Sequence, residues 1–294
     1  MPLILQLLVS GLAVGSIYAL VALSYNAIFR TSQVGNFAQG ELLMIGGLLT
    51  VGLYTWFGMS IWLAFPLGVC LAVVVGLLIE RLAVRPVQRT GAGAHGWIVT
   101  TLGAGIIIRA AAFLAWGTRD APMPKYLGGG RVLHVAGAAV SEDELLVIVA
   151  VLAILVLLEL VNRYTILGKA LRATACDQEM ARLVGIPAPR MIAASFALGA
   201  GLAAIGGILL TNVAVSSPYM GIDIGLKGFA AAALGGLGSP LGGVLGGLII
   251  GVAEVLGAFY ISSSIKDSIA LVLLFALLML RPAGLLGRDV MEKV

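Results

Sequence analysis

The chain has 294 residues, 60% of them hydrophobic and only 11% charged, with a formal net charge of +4 and a mean hydropathy of +1.08. Soluble domains carry about 25% charged residues, so this composition excludes a soluble enzyme or nucleic-acid-binding module and describes a polytopic membrane protein. At ~20 residues per span the length supplies about eight or nine transmembrane helices, leaving nothing for a sizeable soluble domain; the expected fold is all-α, a single integral domain over 1–294 with broken or re-entrant segments.

The first 29 residues, MPLILQLLVSGLAVGSIYALVALSYNAIF, lack the basic start of a signal peptide and meet no charge before Arg30, which predicts a retained span. Gly11, Gly15 and Ala19 recur along it at i+4, a small-residue stripe that lets another helix approach closely. The polar string Gly35-Asn36-Phe37-Ala38-Gln39-Gly40-Glu41 then breaks the apolar pattern. Asn36 and Glu41 suit the cap and first turn of the next helix, and such an N-terminus is also a place to hold an anionic group. Asn36, Phe37, Gln39 and Glu41 are therefore candidates for a pathway through the membrane or its gate.

Apolar runs follow at Leu42–Phe57, Ile61–Ile79, Trp97–Trp116 and Leu145–Val161. Arg81, Arg85 and Arg89 share one short loop, which the positive-inside rule places in the cytoplasm, with Thr118–Asp143 outside and Arg30 and Gly35–Gly40 at the inner side. Between Asn162 and Arg190 comes a long polar interruption, RYTILGKALRATACDQEMARLVGIPAPR, whose Arg163, Lys169, Arg172, Arg182 and Arg190 make it a second cytoplasmic loop. Gly168–Leu183 has helical spacing, with Leu171, Ala175, Met180 and Leu183 on an apolar face and Lys169, Arg172, Asp177, Glu179 and Arg182 polar; Pro187 and Pro189 stop it. A helix lying on the inner membrane surface fits that spacing. Its mixed charges and tight Gly185-Ile186-Pro187 ending suit a helix that docks in a groove on a cytoplasmic partner.

Four more runs complete the set, at Ile192–Val215, Leu226–Leu237, Leu241–Tyr260 and Ser268–Leu280. LGGLGSP, ending at Pro240, is too glycine-rich for a helix interior and predicts a break, while Gly243, Gly247 and Gly251 form a second small-residue stripe. Arg109 and Glu254 stand alone deep in predicted spans, at similar depth, so a structural ion pair and a role in a pathway are both open. Arg281, Arg288 and Lys293 belong inside. Cys70 and Cys176 lie where a disulfide is not expected, His95 and His134 read as ordinary loop residues, and no metal-ligand cluster or nucleophile-base constellation stands out. There is no GxxxxGK[ST] phosphate loop, so no nucleotide cofactor is expected on this chain.

Glu179-Met180-Ala181-Arg182-Leu183-Val184-Gly185 resembles the EAA motif of ABC importer permeases. LGKALRATACDQEMARLVGI is similar to the corresponding loop of branched-chain amino-acid permeases of the shorter, H-type kind, and the likeness extends to GSIYALVAL, NFAQGELLMIGG, GLKGFAAAALGGLGSPLGGVLGGLIIGVAE and LRPAGLLG. In that family His commonly stands where this chain has Gln39. The resemblance implies one permease domain whose loop 162–190 couples to an ATPase through Gly168, Lys169, Arg172, Glu179, Ala181 and Gly185. It further implies a second, homologous permease subunit, two cytoplasmic ATP-binding subunits and a periplasmic or extracellular substrate-binding protein, in a bacterial inner membrane, with ATP hydrolysis on the partner chains. Branched-chain or other hydrophobic amino acids are the implied cargo, with urea, amides and small organic acids served by related permeases. A secondary carrier coupled to protons or sodium would instead use Glu254 or Glu41 and need no ATPase.

Overall fold

The computed structural model describes residues 2–90, 93–121, 129–135, 138–263, 266–281 and 283–287. Six helical stretches are long and apolar enough to cross a membrane: Leu3–Ser32, Ile61–Gln88, Gly96–Trp116, Glu142–Tyr164, Ala188–Val213 and Pro240–Tyr260. They belong to helices α1 (Pro2–Ser32), α3 (Ile61–Ile79, continued by a π-helical turn Glu80–Val84 into α4, Arg85–Thr90), α5 (Gly93–Trp116), α6 (Glu142–Tyr164), α9 (Ala188–Val213) and α11 (Pro240–Tyr260). The chain is a multi-pass, all-α membrane protein. Three further apolar helices are shorter: α2 (Gln39–Thr55), α10 (Met220–Gly235) and α12 (Lys266–Leu280). The 17 residues of α2 and 16 of α10 reach only roughly 24–26 Å, less than the ~30 Å hydrocarbon thickness.

Burial follows the apolar pattern. The central stretch of α1 is enclosed on every side, with Ile17, Leu20, Val21 and Ile28 fully buried, as expected of a helix hydrophobic all round. Helices α11, α9, α10 and α6 pack most extensively against α1, and α2 touches it as well. On the outer helices, Trp62 of α3, Ile107 and Leu114 of α5, and Val156 and Leu157 of α6 remain exposed, an apolar surface suited to lipid.

Close glycine contacts set the spacing of the inner helices, among them two seams. The Gly11, Gly15 and Ala19 stripe of α1 meets the Gly247 and Gly251 stripe of α11: a Cβ on Gly11 would lie 2.8 Å from Val252 Cα, and one on Gly247 2.6 Å from Ala19 Cα. The second seam joins α2 to α10, where a Cβ on Gly40 would overlap Gly221 O and lie 2.8 Å from Gly225 Cα.

The predicted break at LGGLGSP is present. Helix α10 ends at Gly235, Gly236 and Gly238 take φ of 102° and 86°, and Ser239 caps α11 by accepting a hydrogen bond from Gly242 N–H. The single helix expected over Gly168–Leu183 is instead two, α7 (Ile166–Cys176) and α8 (Gln178–Leu183). Asp177 adopts an extended conformation between them and its carboxylate accepts from the N–H groups of Glu179 and Met180, so it starts a new helix rather than continuing the old one. The expected apolar face is lost with the break: Leu171 is buried, but Met180 and Leu183 point outward. Residues 118–143, expected to be an outer loop, include an antiparallel hairpin of β1 (Val132–Val135) and β2 (Ala138–Ser141), with Leu133 opposite Val140. Arg288 and Lys293 lie outside the described residues, as does the His95 side chain.

Candidate functional site

Helix α2 begins inside the bundle rather than at its end. After α1 the chain turns at Gln33, whose φ is 56°, and doubles back to Asn36. The Asn36 Oδ1 accepts from Ala38 N–H at 3.1 Å, its Nδ2 donates to Gln39 Oε1 at 2.9 Å, and Gln39 Nε2 donates to Gly199 O at 2.8 Å. Gly199 lies roughly 16 Å along α9 from its start, so the turn is recessed. All three polar groups are buried, and this chain of hydrogen bonds compensates their removal from water. Asn36 and Gln39 thus set the position of the turn, while Phe37 and Glu41 project from it.

Glu41 and Arg109 form an ion pair, Arg109 Nη2 to Glu41 Oε1 at 3.1 Å. They line a cavity of about 320 Å³ between α2, α5 and α10, with Phe37, Tyr25 and Phe229 as aromatic walls. Glycine makes room for the carboxylate, since Gly221 sits directly over Glu41 Oε2 and no Cβ fits there. The Tyr25 hydroxyl donates to Gly225 O at 3.3 Å, tying α1 to the same crossing. Helices α2 and α10 therefore both start within the bundle and cross beside the charged pair, the arrangement of broken helices that lines pathways in transporters.

Phe37 stacks on Trp97, with ring centroids 6.4 Å apart and planes 12° apart, and also touches Phe229 at 5.6 Å. Trp97 lines a different, larger cavity of about 570 Å³ that opens at the α7–α8 end among Ser32, Glu80, Arg85, Gln178 and Arg182. The stacked pair is thus the wall between the two cavities. Neither Trp97 nor Phe229 stands out in the sequence, where each reads as one more apolar residue of a span.

Arg109 and Glu254 do not pair, contrary to one reading of their similar depth. Glu254 is fully buried in a separate cluster: its carboxylate accepts from the Tyr18 hydroxyl and from Lys227 Nζ, each at 2.8 Å, with Lys266 Nζ at 3.5 Å. Lys227 also reaches Asp267 at 2.7 Å. Two carboxylates and two ammonium groups leave this cluster neutral. Lys227 was the missed partner; a lone lysine inside MGIDIGLKGFAAAALG was the available signal.

The residues of the 162–190 loop form a separate element at the other end of the larger cavity. Thr165 caps α7 by accepting from Gly168 N–H, and Gly168 packs against the backbone of Asn162, to whose carbonyl Arg172 donates. On α8, Ala181 is buried, whereas Glu179, Met180, Leu183, Val184 and Gly185 face outward. Gly185, at φ 86°, closes α8 in a left-handed cap in which Ile186 N–H bonds Ala181 O. Lys169 is exposed on α7. Gln178 Nε2 donates to Thr31 O at 2.9 Å, which ties α8 to the end of α1 just before the Gln33 turn.

Short broken helices crossing beside a charged cavity, within a multi-pass bundle, define a membrane permease. A family model described as the permease component of branched-chain amino acid transport systems matches residues 7–281, and the chain belongs to that family. It is 36% identical over 303 residues to the high-affinity branched-chain amino acid transport system permease protein LivH of Salmonella typhimurium, covering 99% of this chain and 97% of that protein. It is likewise 36% identical over 302 residues to the permease protein BraD of Pseudomonas aeruginosa, covering 99% and 98%. A solved structure, PsaBC from Streptococcus pneumoniae in complex with Fab, aligns over 92% of this chain and 89% of that one, with a TM-score of 0.47 and 15% identity.

Proposed function

We propose that this protein is the permease subunit of an ATP-binding-cassette importer that carries branched-chain or other hydrophobic amino acids inward across a bacterial inner membrane. It acts as one permease domain, paired with a second, homologous permease. Two cytoplasmic ATPase subunits hydrolyse ATP on their own chains, and a periplasmic or extracellular binding protein delivers the substrate. The α7–α8 loop faces the cytoplasm and docks on an ATPase through Glu179, Gly185, the exposed Met180 and Leu183 of α8 and the adjoining Val184.

The observation that carries this reading is the connection from α8 to the aromatic wall. Gln178 holds Thr31, and six residues later Phe37 stacks on Trp97 between the two cavities. Movement of α8 by a closing ATPase pair is passed to the Gln33–Ala38 turn and parts Phe37 from Trp97, opening the larger cavity to the one beside Glu41. Reconstitution with the partner chains tests the proposal. Leucine uptake should require ATP, the ATPase subunits and the binding protein; uptake by this chain alone on an ion gradient would refute it.

A further inference from the structure

At the end of the bundle away from α7 and α8, where α6 starts and α9 ends, lies another cavity, of about 330 Å³. It is within the ~300–1,000 Å³ range of small-molecule sites. Ile17, Leu210, Val213 and Ile224 give it apolar walls, and Glu144, Asp223, Lys227 and Lys266 are its charged side chains. Both lysines are already balanced by carboxylates outside the cavity lining. Lys227 Nζ donates to Glu254 at 2.8 Å and to Asp267 at 2.7 Å, and Lys266 Nζ stands 3.5 Å from Glu254.

The two carboxylates that do line the cavity have no such balance. Glu144 accepts one hydrogen bond at Oε1, from the Ser10 hydroxyl at 2.8 Å. Asp223 is exposed, and among the described residues no hydrogen bond or ion pair reaches its carboxylate. Lys227 follows it at i+4, the spacing at which a helix ordinarily pairs such residues, but is turned to Glu254 instead. A carboxylate on a membrane-embedded helix without a counter-charge is costly. The cavity therefore carries two negative charges in excess, one of them on an accessible and unpaired side chain.

We propose that this cavity receives a free amino acid on the outer face of the permease, the α-ammonium on Asp223 and the α-carboxylate on Lys266. Glu144 adds to the negative field that draws the ammonium in. The Lys266 side chain is 45% exposed and holds Glu254 only loosely, so it is free to turn to the ligand. Ile17, Leu210 and Val213 take an aliphatic side chain. The excess of carboxylates ranks the ligands: an amine keeps the main contact, whereas an acid without an ammonium meets like charge, which costs several kcal/mol across an interface. The inference rests on the proposed direction of transport, which puts this end outside, toward the binding protein.

The test uses the purified complex of this chain with its partner permease and ATPase subunits, without the binding protein. With Cys70 and Cys176 replaced, Ala214→Cys and, separately, Val215→Cys place a thiol on the cavity wall. The rate at which a small maleimide alkylates that position, read by mass spectrometry, reports occupancy. Leucine and 3-methylbutylamine (leucine without its carboxylate) should slow alkylation saturably, and 4-methylpentanoate (leucine without its ammonium) should not. Loss of one charged hydrogen bond predicts that Asp223→Asn raises the half-protecting concentration of both ligands about ten-fold or more. Asp223→Glu, which keeps the charge, should retain protection, and Lys266→Gln should weaken protection by leucine but not by the amine. Each variant should melt like the parent complex, since neither side chain is buried. No protection by leucine at either reporter, equal protection by 4-methylpentanoate, or protection unchanged in Asp223→Asn would overturn the assignment. ATP-driven uptake with the binding protein restored separates this from the function itself: a complex that imports leucine yet shows no protection contradicts only the site, whereas one that imports no amino acid contradicts the proposed function.

Discussion

Lys227→Met should be among the most damaging single substitutions in this protein, and the geometry of its cluster sets the scale. Glu254 is 0% exposed and Lys227 8%, while Asp267 is 82% exposed. Breaking a buried pair by removing one partner costs about 3–5 kcal/mol. The Tyr18 hydroxyl and Lys266 at 3.5 Å remain beside the stranded carboxylate, which points to the lower end, about 3 kcal/mol. The Lys227–Asp267 bond lies largely in the open on one side, so Asp267→Asn should cost no more than ~1 kcal/mol. The neutral double variant Lys227→Met/Glu254→Gln removes the stranded charge and should recover most of the loss. Thermal unfolding of the purified complex gives the order: wild type and Asp267→Asn close together, the double variant somewhat lower, Lys227→Met well below. A double variant as unstable as Lys227→Met, or an Asp267→Asn as damaging as Lys227→Met, would refute the reasoning that burial of Glu254 dominates the cluster.

Three further outcomes follow from local geometry. Gly40→Ala drives a methyl into Gly221 O and the Gly225 backbone, which cannot give way as a side chain can; it should cost about 1–3 kcal/mol in unfolding assays, whereas Gly105→Ala, whose Cβ would sit 3.5 Å from Glu41 Cγ, should melt like wild type. Gly185→Asp meets no atom within 4 Å but must hold φ at 86°, a strain of about 1–2 kcal/mol confined to the end of α8; bundle stability should hold while ATP-driven uptake falls, and unchanged uptake would count against docking there. Asp177→Ala removes the cap of α8, a loss of about 1 kcal/mol, and should lower uptake per ATP hydrolysed without shifting the main unfolding transition.

The helices were legible because lipid exposure imposes a simple rule on composition. Apolar run length located the spans, and the glycine stripes of α1 and α11 announced a seam that the structure places between them. The Gly236–Gly238 break was readable because backbone chemistry acts locally. Which charges pair was not readable, since depth along a helix says nothing about which face a residue occupies or which helix stands opposite; Arg109 therefore found Glu41, and Glu254 found Lys227. The division of the coupling loop was half visible: Asp177 followed by Gln178 and Glu179 is an N-terminal signature, but the regular spacing on either side masked it. Phe37 was singled out by its polar neighbours, while Trp97, its stacking partner, carries no local mark and is defined only by what it packs against.

The central claim, that the Phe37–Trp97 contact is a gate opened through α8, is tested most directly by locking it. With Cys70 and Cys176 replaced, Phe37→Cys/Trp97→Cys joined by a short bifunctional thiol cross-linker should abolish ATP-driven leucine uptake in proteoliposomes, and each single-cysteine variant treated alike should retain its uptake. Undiminished uptake by the cross-linked protein would contradict the account.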